Sequence, residues 1–330
     1  MERVACIDIG TVTVRLAVAD VEDAQVLRLI KRSTICDLGE GLSASGRISD
    51  DARGRVMGCV DAYIQISLDA GATYTCCTLT SAARDASNAS DLLAELYRRG
   101  LDPQVISGEV EGSLTFLGVA RDFVGSRILV ADNGGGSTEL ALGSMMGGGV
   151  LELECVRSTD VGCRRITERF LSASDPPSGR DIEAARSFAR ESFSVAIAKE
   201  HILEKKPALL VVTGGTATSL VALEKKLEPY DATQVHRSVL PRERVDAMVA
   251  KLAALTVEER ATLPGIQAKR APVILAGAIA ISELMAQTHF DLLTVSESDL
   301  LFGLAICAGQ AAAKEEAPLD WEPTLSVPCR

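Results

Sequence analysis

The sequence predicts an α/β protein built from two similar lobes, and three observations carry that expectation. The chain has 330 residues, more than a single core usually organises, so two domains are expected. Nearly half the residues are apolar (47%) and only 4% are aromatic, with Ala, Val, Leu and Gly plentiful. A strand–tight turn–strand pattern at 4–19 returns at 127–143, each time followed by a further strand, helices and another strand.

The elements follow in order. Val4–Ile9 is an unbroken apolar run, hence a buried strand, and Val12–Ala19 alternates into a second. Val26–Thr34 is the third strand. Ser49–Leu68 has helical spacing and stops near Gly71. Thr73–Thr80 is strand-like and runs into the polar turn Ser81–Asn88. A helix capped by Ser90 is expected over Ser90–Arg99, then a short strand Pro103–Ile106 and a helix Ser107–Ala120. In the second half, strands at 127–143 and Leu151–Ser158 precede helices at Cys163–Leu171 and Asp181–Leu203. The buried strand Ala208–Thr213 ends in a Gly-rich turn. Helices at 241–253, 256–262, 272–288 and 300–313 and a strand Leu292–Val295 complete the pattern. The expected lobes are 1–125 and 126–298. Residues 299–313 cross back to complete the first, and 314–330 form a loose Pro-rich tail.

The formal net charge of −11 argues against a general nucleic-acid or membrane-surface binder, which would want a basic face. The nine cysteines form no Cys-x-x-Cys pair, and most sit among apolar residues and read as reduced core residues of a cytoplasmic protein. No signal-peptide pattern opens the chain. The apolar run Val273–Met285, interrupted by Gly277 and Glu283, is too short to span a bilayer. The three histidines lack metal spacing.

Four segments carry chemistry. The first is VADNGGGSTEL (130–140). Gly134, Gly135 and Gly136 let backbone approach a bulky ligand, and turn N–H groups with the Ser137 and Thr138 hydroxyls can gather around anionic oxygens. Asp132 and Glu139 flank that turn and suit a hard divalent ion such as Mg²⁺. The bland alternative is an ordinary glycine hairpin. The second is IDIGTVTVR (7–15), in which Asp8, Gly10 and Thr11 repeat the same logic. Alone it is weak, because Asp-x-Gly turns are common. Facing each other across an interlobe cleft, the two turns would clamp phosphate or metal.

The third comprises TSAARDASN (80–88) and ISGEVEGS (106–113). Arg84 can fork a phosphate. Glu109 and Glu111 open a helix, where acidic residues complement the dipole, and Glu111 could accept a proton from an attacking water if it faces the cleft. The fourth is VTGGTATS (212–219), where Gly214, Gly215 and Thr216 sit at a strand-to-helix turn that offers amides to phosphate. It lacks the Lys of a P-loop, and no dinucleotide fingerprint occurs elsewhere.

With these segments in hand, the chain resembles the exopolyphosphatase/guanosine pentaphosphate phosphohydrolase (Ppx/GppA) family. Eight stretches match in order: IDIGTVTVRL, LGEGLSASGRIS, TSAARDASN, ISGEVEGSLTFLGVA, VADNGGGSTEL, TDVGCRRITERF, TGGTATSL and LPGIQAKRAPVILAGAIAI. The resemblance implies the actin-like, sugar-kinase-like fold, a duplicated ribonuclease H-like unit with an interdomain cleft. It also implies Mg²⁺-dependent removal of terminal phosphate from a phosphoanhydride chain. By position it makes Glu111 the catalytic base, and Asp132 and Glu139 the metal and water-orienting carboxylates. Gly134, Gly135, Gly136, Ser137, Thr138, Gly214, Gly215 and Thr216 fall on phosphate-cradling turns. Asp8, Gly10, Thr11 and Arg84 fall on the first lobe's side.

The chain departs from the family pattern at three places. Val12 replaces a polar residue in the first turn, Val110 replaces a Glu before the base, and Pro272 replaces an Asp after Arg270–Ala271. Without the C-terminal helical domains of longer members, the chain resembles the short, two-domain form. The implied substrate is inorganic polyphosphate, with guanosine pentaphosphate the rival, and the implied cofactor is Mg²⁺ or another divalent ion. No nucleic acid or membrane partner is expected, and a homodimer stays open. A non-catalytic polyphosphate-binding regulator and a kinase of the same fold are the alternatives from other classes.

Overall fold

The computed structural model describes residues 1–327. Cys329 and the end of the expected tail lie outside them. Contacts separate the chain into two compact units: Met1–Val119 joined by the chain from Leu300 onward, and Ala120–Asp299.

In the first unit, β1 (Glu2–Ile9), β2 (Thr13–Glu22) and β3 (Gln25–Ile35) form an antiparallel meander. Helix α1 (Asp50–Asp69) leads to β4 (Tyr74–Leu79), which lies parallel to β1, and β5 (Pro103–Val105) lies parallel to β4. Helix α2 (Gly108–Ala120) follows. Central strand β1 is buried on both faces, which is why Val4–Ile9 reads as continuous apolar sequence. One face, with Ile7 and Ile9, packs in a core that includes Val56 and Val60 of α1.

The second unit repeats this plan. Strands β6 (Arg127–Asn133), β7 (Thr138–Met145) and β8 (Leu151–Thr159) form the meander. Helix α3 (Gly179–Lys199) precedes β9 (Leu209–Thr213), which runs parallel to β6 and opens into α4 (Gly215–Lys225). Strand β10 (Val239–Pro241) forms the edge. Helix α5 (Ala271–Thr288) then leads to β11 (Leu292–Val295), giving the order β10-β11-β9-β6-β7-β8.

The segment Ala268–Thr288 has the length and mean hydropathy (1.4) of a membrane span, although the apolar run within it was expected to be too short. It is 83% buried within the fold, packed beside α3 and α4, as a core helix is.

Helix α6 (Leu300–Ala313) belongs to the first unit and packs on β1 and β2. Gly303 meets the Leu114 carbonyl of α2 and Gly309 meets Val21, so a Cβ at either would collide. The expected tail departs from its description: β12 (Leu325–Ser326) pairs antiparallel with β4. Gln104 fastens this segment from both sides, accepting from Thr324 N at 2.7 Å and donating to the Glu322 carbonyl at 3.2 Å. Side-chain hydrogen bonds, which leave no periodicity, hold it there. The expected Ser90 cap also differs, since that helix begins after Asn88. The Asn88 amide instead bridges both backbone groups of Ile48.

Candidate active-site residues

In each unit the candidate residues sit at or just past the carboxyl ends of the parallel strands. That is where ligands gather in open α/β sheets, because strand ends and helix starts expose unsatisfied backbone groups. Asp8 ends β1, Arg84 follows β4, and Glu111 follows β5. Asp132 ends β6, and Gly214 follows β9.

The hairpin of the first unit closes through Gly10 N–H to the Thr13 carbonyl at 2.9 Å. Antiparallel register puts Asp8 opposite Arg15. Arg15 donates Nη2 and Nε to Asp8 Oδ2 at 2.7 and 3.0 Å, and the Thr78 hydroxyl reaches Oδ1 at 3.3 Å. Asp8 is fully buried, so its charge is answered inside the protein. Expected to meet phosphate, Asp8 is placed instead as the counter-ion of Arg15. Thr11 and Val12 are buried, with carbonyls accepting from Gly39 N, Cys36 N and Asp37 N at 2.9–3.0 Å. A strap over 36–39 therefore fixes the turn.

Arg84 and Glu111 meet in the same unit. Arg84 Nη1 donates to Glu111 Oε2 at 2.9 Å and to the Ile106 carbonyl at 2.8 Å. Glu111 is 7% exposed, so its carboxyl turns inward rather than out to solvent. Neighbouring Glu109 is exposed, while Ser107 caps the helix start through Val110 N at 3.2 Å. The two glutamates thus separate cleanly into an exposed residue and a buried one paired with Arg84.

In the second unit, register places Asp132 directly opposite Glu139. They are 5% and 2% exposed. The Ser158 hydroxyl donates to Glu139 Oε1 at 2.7 Å. The glycine turn between them is held by its carbonyls. Gly134 O accepts from Cys163 N at 3.0 Å, Gly135 O from Arg164 N at 2.8 Å, and Gly136 O from Arg165 Nε at 2.7 Å. Gly162 must be glycine, because a Cβ there would strike the 135–136 backbone. Gly134 N–H reaches the Ser137 carbonyl, and no backbone carbonyl among the described residues accepts from Gly135 or Gly136 N–H. That leaves the Gly135 and Gly136 N–H groups as the turn's candidate donors to an anion.

Of two hydroxyls expected at phosphate, one is hydrogen-bonded within the fold and the other is packed against a neighbouring helix. Thr138 Oγ1 donates to the Val161 carbonyl and accepts from Asn133 Nδ2 at 3.0 Å. The Thr216 side chain, 1% exposed, lies against Gly277 of α5. What Thr216 can offer an anion is backbone at the start of α4. Gly214 has φ +102°, and a Cβ on it would sit 3.2 Å from Asp132 Oδ1 and 2.6 Å from the Asn133 carbonyl. Gly215 lies under the Arg270 guanidinium, which fills the space a side chain would take.

Sequence reasoning passed over Arg15, Asn133, Ser158 and Arg270 as site residues. Hairpin arithmetic could have found Arg15, since positions equidistant from a turn centre face each other. The others needed coordinates. Asn133 Oδ1 is buried without a hydrogen-bond partner among the described residues.

Paired carboxylates shut from bulk water suit Mg²⁺, which commonly takes one or two protein carboxylates and completes its shell with water and phosphate oxygens. Among the described residues no group of three or more His, Cys, Asp or Glu gathers to hold a metal. The donor set therefore fits a metal shared with substrate, not an all-protein cage.

The Ppx/GppA phosphatase family profile matches residues 17–305. Exopolyphosphatase 2 of Mycobacterium tuberculosis is 35% identical over 327 residues, covering 93% of this chain and 98% of its own. The Aquifex aeolicus Ppx/GppA crystal structure superposes with a TM-score of 0.76 at 29% identity, covering 96% of this chain and 99% of that one. An exopolyphosphatase-like protein superposes with a TM-score of 0.87 at 29% identity, covering 94% and 99%.

Proposed function

This chain belongs to the Ppx/GppA phosphatase family, with its actin-like two-domain α/β fold, and from that premise we propose that it hydrolyses the terminal phosphoanhydride bond of inorganic polyphosphate. The observation that carries this reading is the buried pair Asp132 and Glu139, in register beside a glycine turn that presents N–H groups. Phosphoryl transfer asks mostly for positioning and charge neutralisation, and these parts are of that kind.

Asp132 and Glu139 would hold Mg²⁺, whose charge would offset the negative charge of the phosphate oxygens. The Gly135 and Gly136 N–H groups and the amino end of α4 bind non-bridging oxygens. Arg84 fixes the Glu111 carboxylate through its ion pair and gives that buried charge a partner. Glu111 accepts the proton of the attacking water as the water oxygen bonds to the terminal phosphorus. The bond from phosphorus to the bridging oxygen breaks, and the shortened chain leaves with that electron pair.

The test measures phosphate release from polyphosphate and from guanosine pentaphosphate at equal Mg²⁺, with and without excess chelator. Release from polyphosphate that chelation abolishes supports the reading. Release from guanosine pentaphosphate alone would move the substrate to the nucleotide. Release from neither would reject hydrolysis.

A further inference from the structure

A cluster in the first unit takes no part in the proposed chemistry. Thr34 lies near the end of β3 and Cys36 just past it, while Cys59 and Tyr63 are four apart on α1, the spacing that puts side chains on one face of a helix. The Tyr63 and Thr34 hydroxyls lie 2.9 Å apart and set the level at which helix meets strand. One turn back along the helix, Cys59 stands midway between Tyr63, which meets Thr34, and Arg55, which bonds the Cys36 carbonyl, so it lies level with Cys36. Cys36 is buried, whereas Cys59 is partly exposed and open to a small reagent.

Cys36 also belongs to the strap over the first turn. Its N–H and that of Asp37 bond the Val12 carbonyl. Arg55 of α1 holds the strap through Nε to the Cys36 carbonyl at 2.8 Å and Nη2 to Glu40 at 2.7 Å. We propose that Cys36 and Cys59 form a redox-active dithiol, which a hydroperoxide converts to an intramolecular disulfide joining α1 to the strap over Thr11 and Val12.

The chemistry balances. The Cys59 thiolate attacks one oxygen of hydrogen peroxide, the O–O bond breaks, and the displaced hydroxide takes a proton to leave as water. The resulting sulfenic acid is attacked at sulfur by the Cys36 thiolate. The S–O bond breaks and a second water departs, so two thiols and one peroxide give one disulfide and two waters. Sulfenic acids form where a thiolate is stabilised and reachable. Hydrogen bonds from Cys36, Thr34 and Tyr63 hold the Cys59 thiol down, to about 6. Burial instead raises the thiols of Cys6, Cys76, Cys77, Cys155 and Cys307.

The test treats the reduced full chain with one equivalent of hydrogen peroxide, blocks remaining thiols by alkylation, and maps peptides by mass spectrometry without reductant. The expected product is a peptide pair linked through Cys36 and Cys59, formed before any other cysteine reacts and reopened by dithiothreitol. In Cys36→Ser, a dimedone adduct should accumulate on Cys59 in place of the disulfide. The wild-type map stands by itself if that variant does not fold. Oxidation that begins at Cys155, or a disulfide from Cys59 to any other cysteine, would overturn the proposal. So would recovery of Cys59 as unmodified thiol while other residues oxidise.

Discussion

Asp132 faces Glu139 across the β6–β7 hairpin in the place where Asp8 faces Arg15 across β1–β2. Both pairs stand seven residues apart at the mouth of a tight turn. In the first unit the pair is an ion pair, whereas in the second it is two buried carboxylates. Like charges directly opposite on paired strands repel. The same hairpin position thus holds a carboxylate–guanidinium pair in one copy and a carboxylate–carboxylate pair in the other, the latter being the donor pair that the proposed Mg²⁺ would use.

Glu139→Gln should therefore separate stability from activity. The amide keeps the side chain's shape and its oxygen can still accept from Ser158. The urea midpoint in chelator should therefore stay near the native one, while divalent-dependent phosphate release falls to background. Native divalent-dependent release would contradict the role of Glu139 at the metal.

Asp8→Asn should act in the opposite sense. Asp8 is fully buried and takes two hydrogen bonds from Arg15. Breaking a buried ion pair from one side leaves a charge poorly compensated, at a cost of about 3 kcal/mol. Equilibrium unfolding in urea checks it.

Gly214→Ala and Gly215→Ala should differ although they are neighbours. At 214 a Cβ meets the Asn133 carbonyl at 2.6 Å with φ at +102°, so about 2 kcal/mol of stability should be lost. At 215 the obstacle is the movable end of Arg270. That variant should keep its melting temperature and lose kcat/KM as the guanidinium is displaced.

The acid limb of stability should depend on Asp20. The Arg3 guanidinium, hydrogen-bonded to Asp20 with Nη2 at 2.9 Å from Oδ2, holds that carboxyl below its ordinary value. A depressed carboxylate contributes stability that is present above its unfolded pKa of about 4 and is lost as pH falls through the folded value. Asp20→Asn should lower the melting temperature at neutrality and flatten its fall below that pH, so that the two proteins converge in acid.

The repeated meander was legible because Val4–Ile9 and Ile128–Ala131 are buried on both faces and read as apolar runs, with each turn marked by Asp and Gly. The inward placement of Glu111 and outward placement of Glu109 were open in sequence, because both suit a helix start. Thr138 and Thr216 misled for a shared reason. A hydroxyl beside glycine can face a ligand or be taken up by its own fold, and here Val161 accepts from Thr138 while Thr216 packs against Gly277, both partners being distant in sequence. The β12 pairing was invisible, since two residues carry no period.

The most direct measurement is single-turnover phosphate release from polyphosphate by Glu111→Gln, with polyphosphate binding measured in parallel. An amide keeps the shape and can still meet Arg84, but it cannot take a proton from water. The rate should fall by at least about 10²-fold while binding is retained. A variant that hydrolyses at the native rate would contradict the assignment of Glu111 as the base.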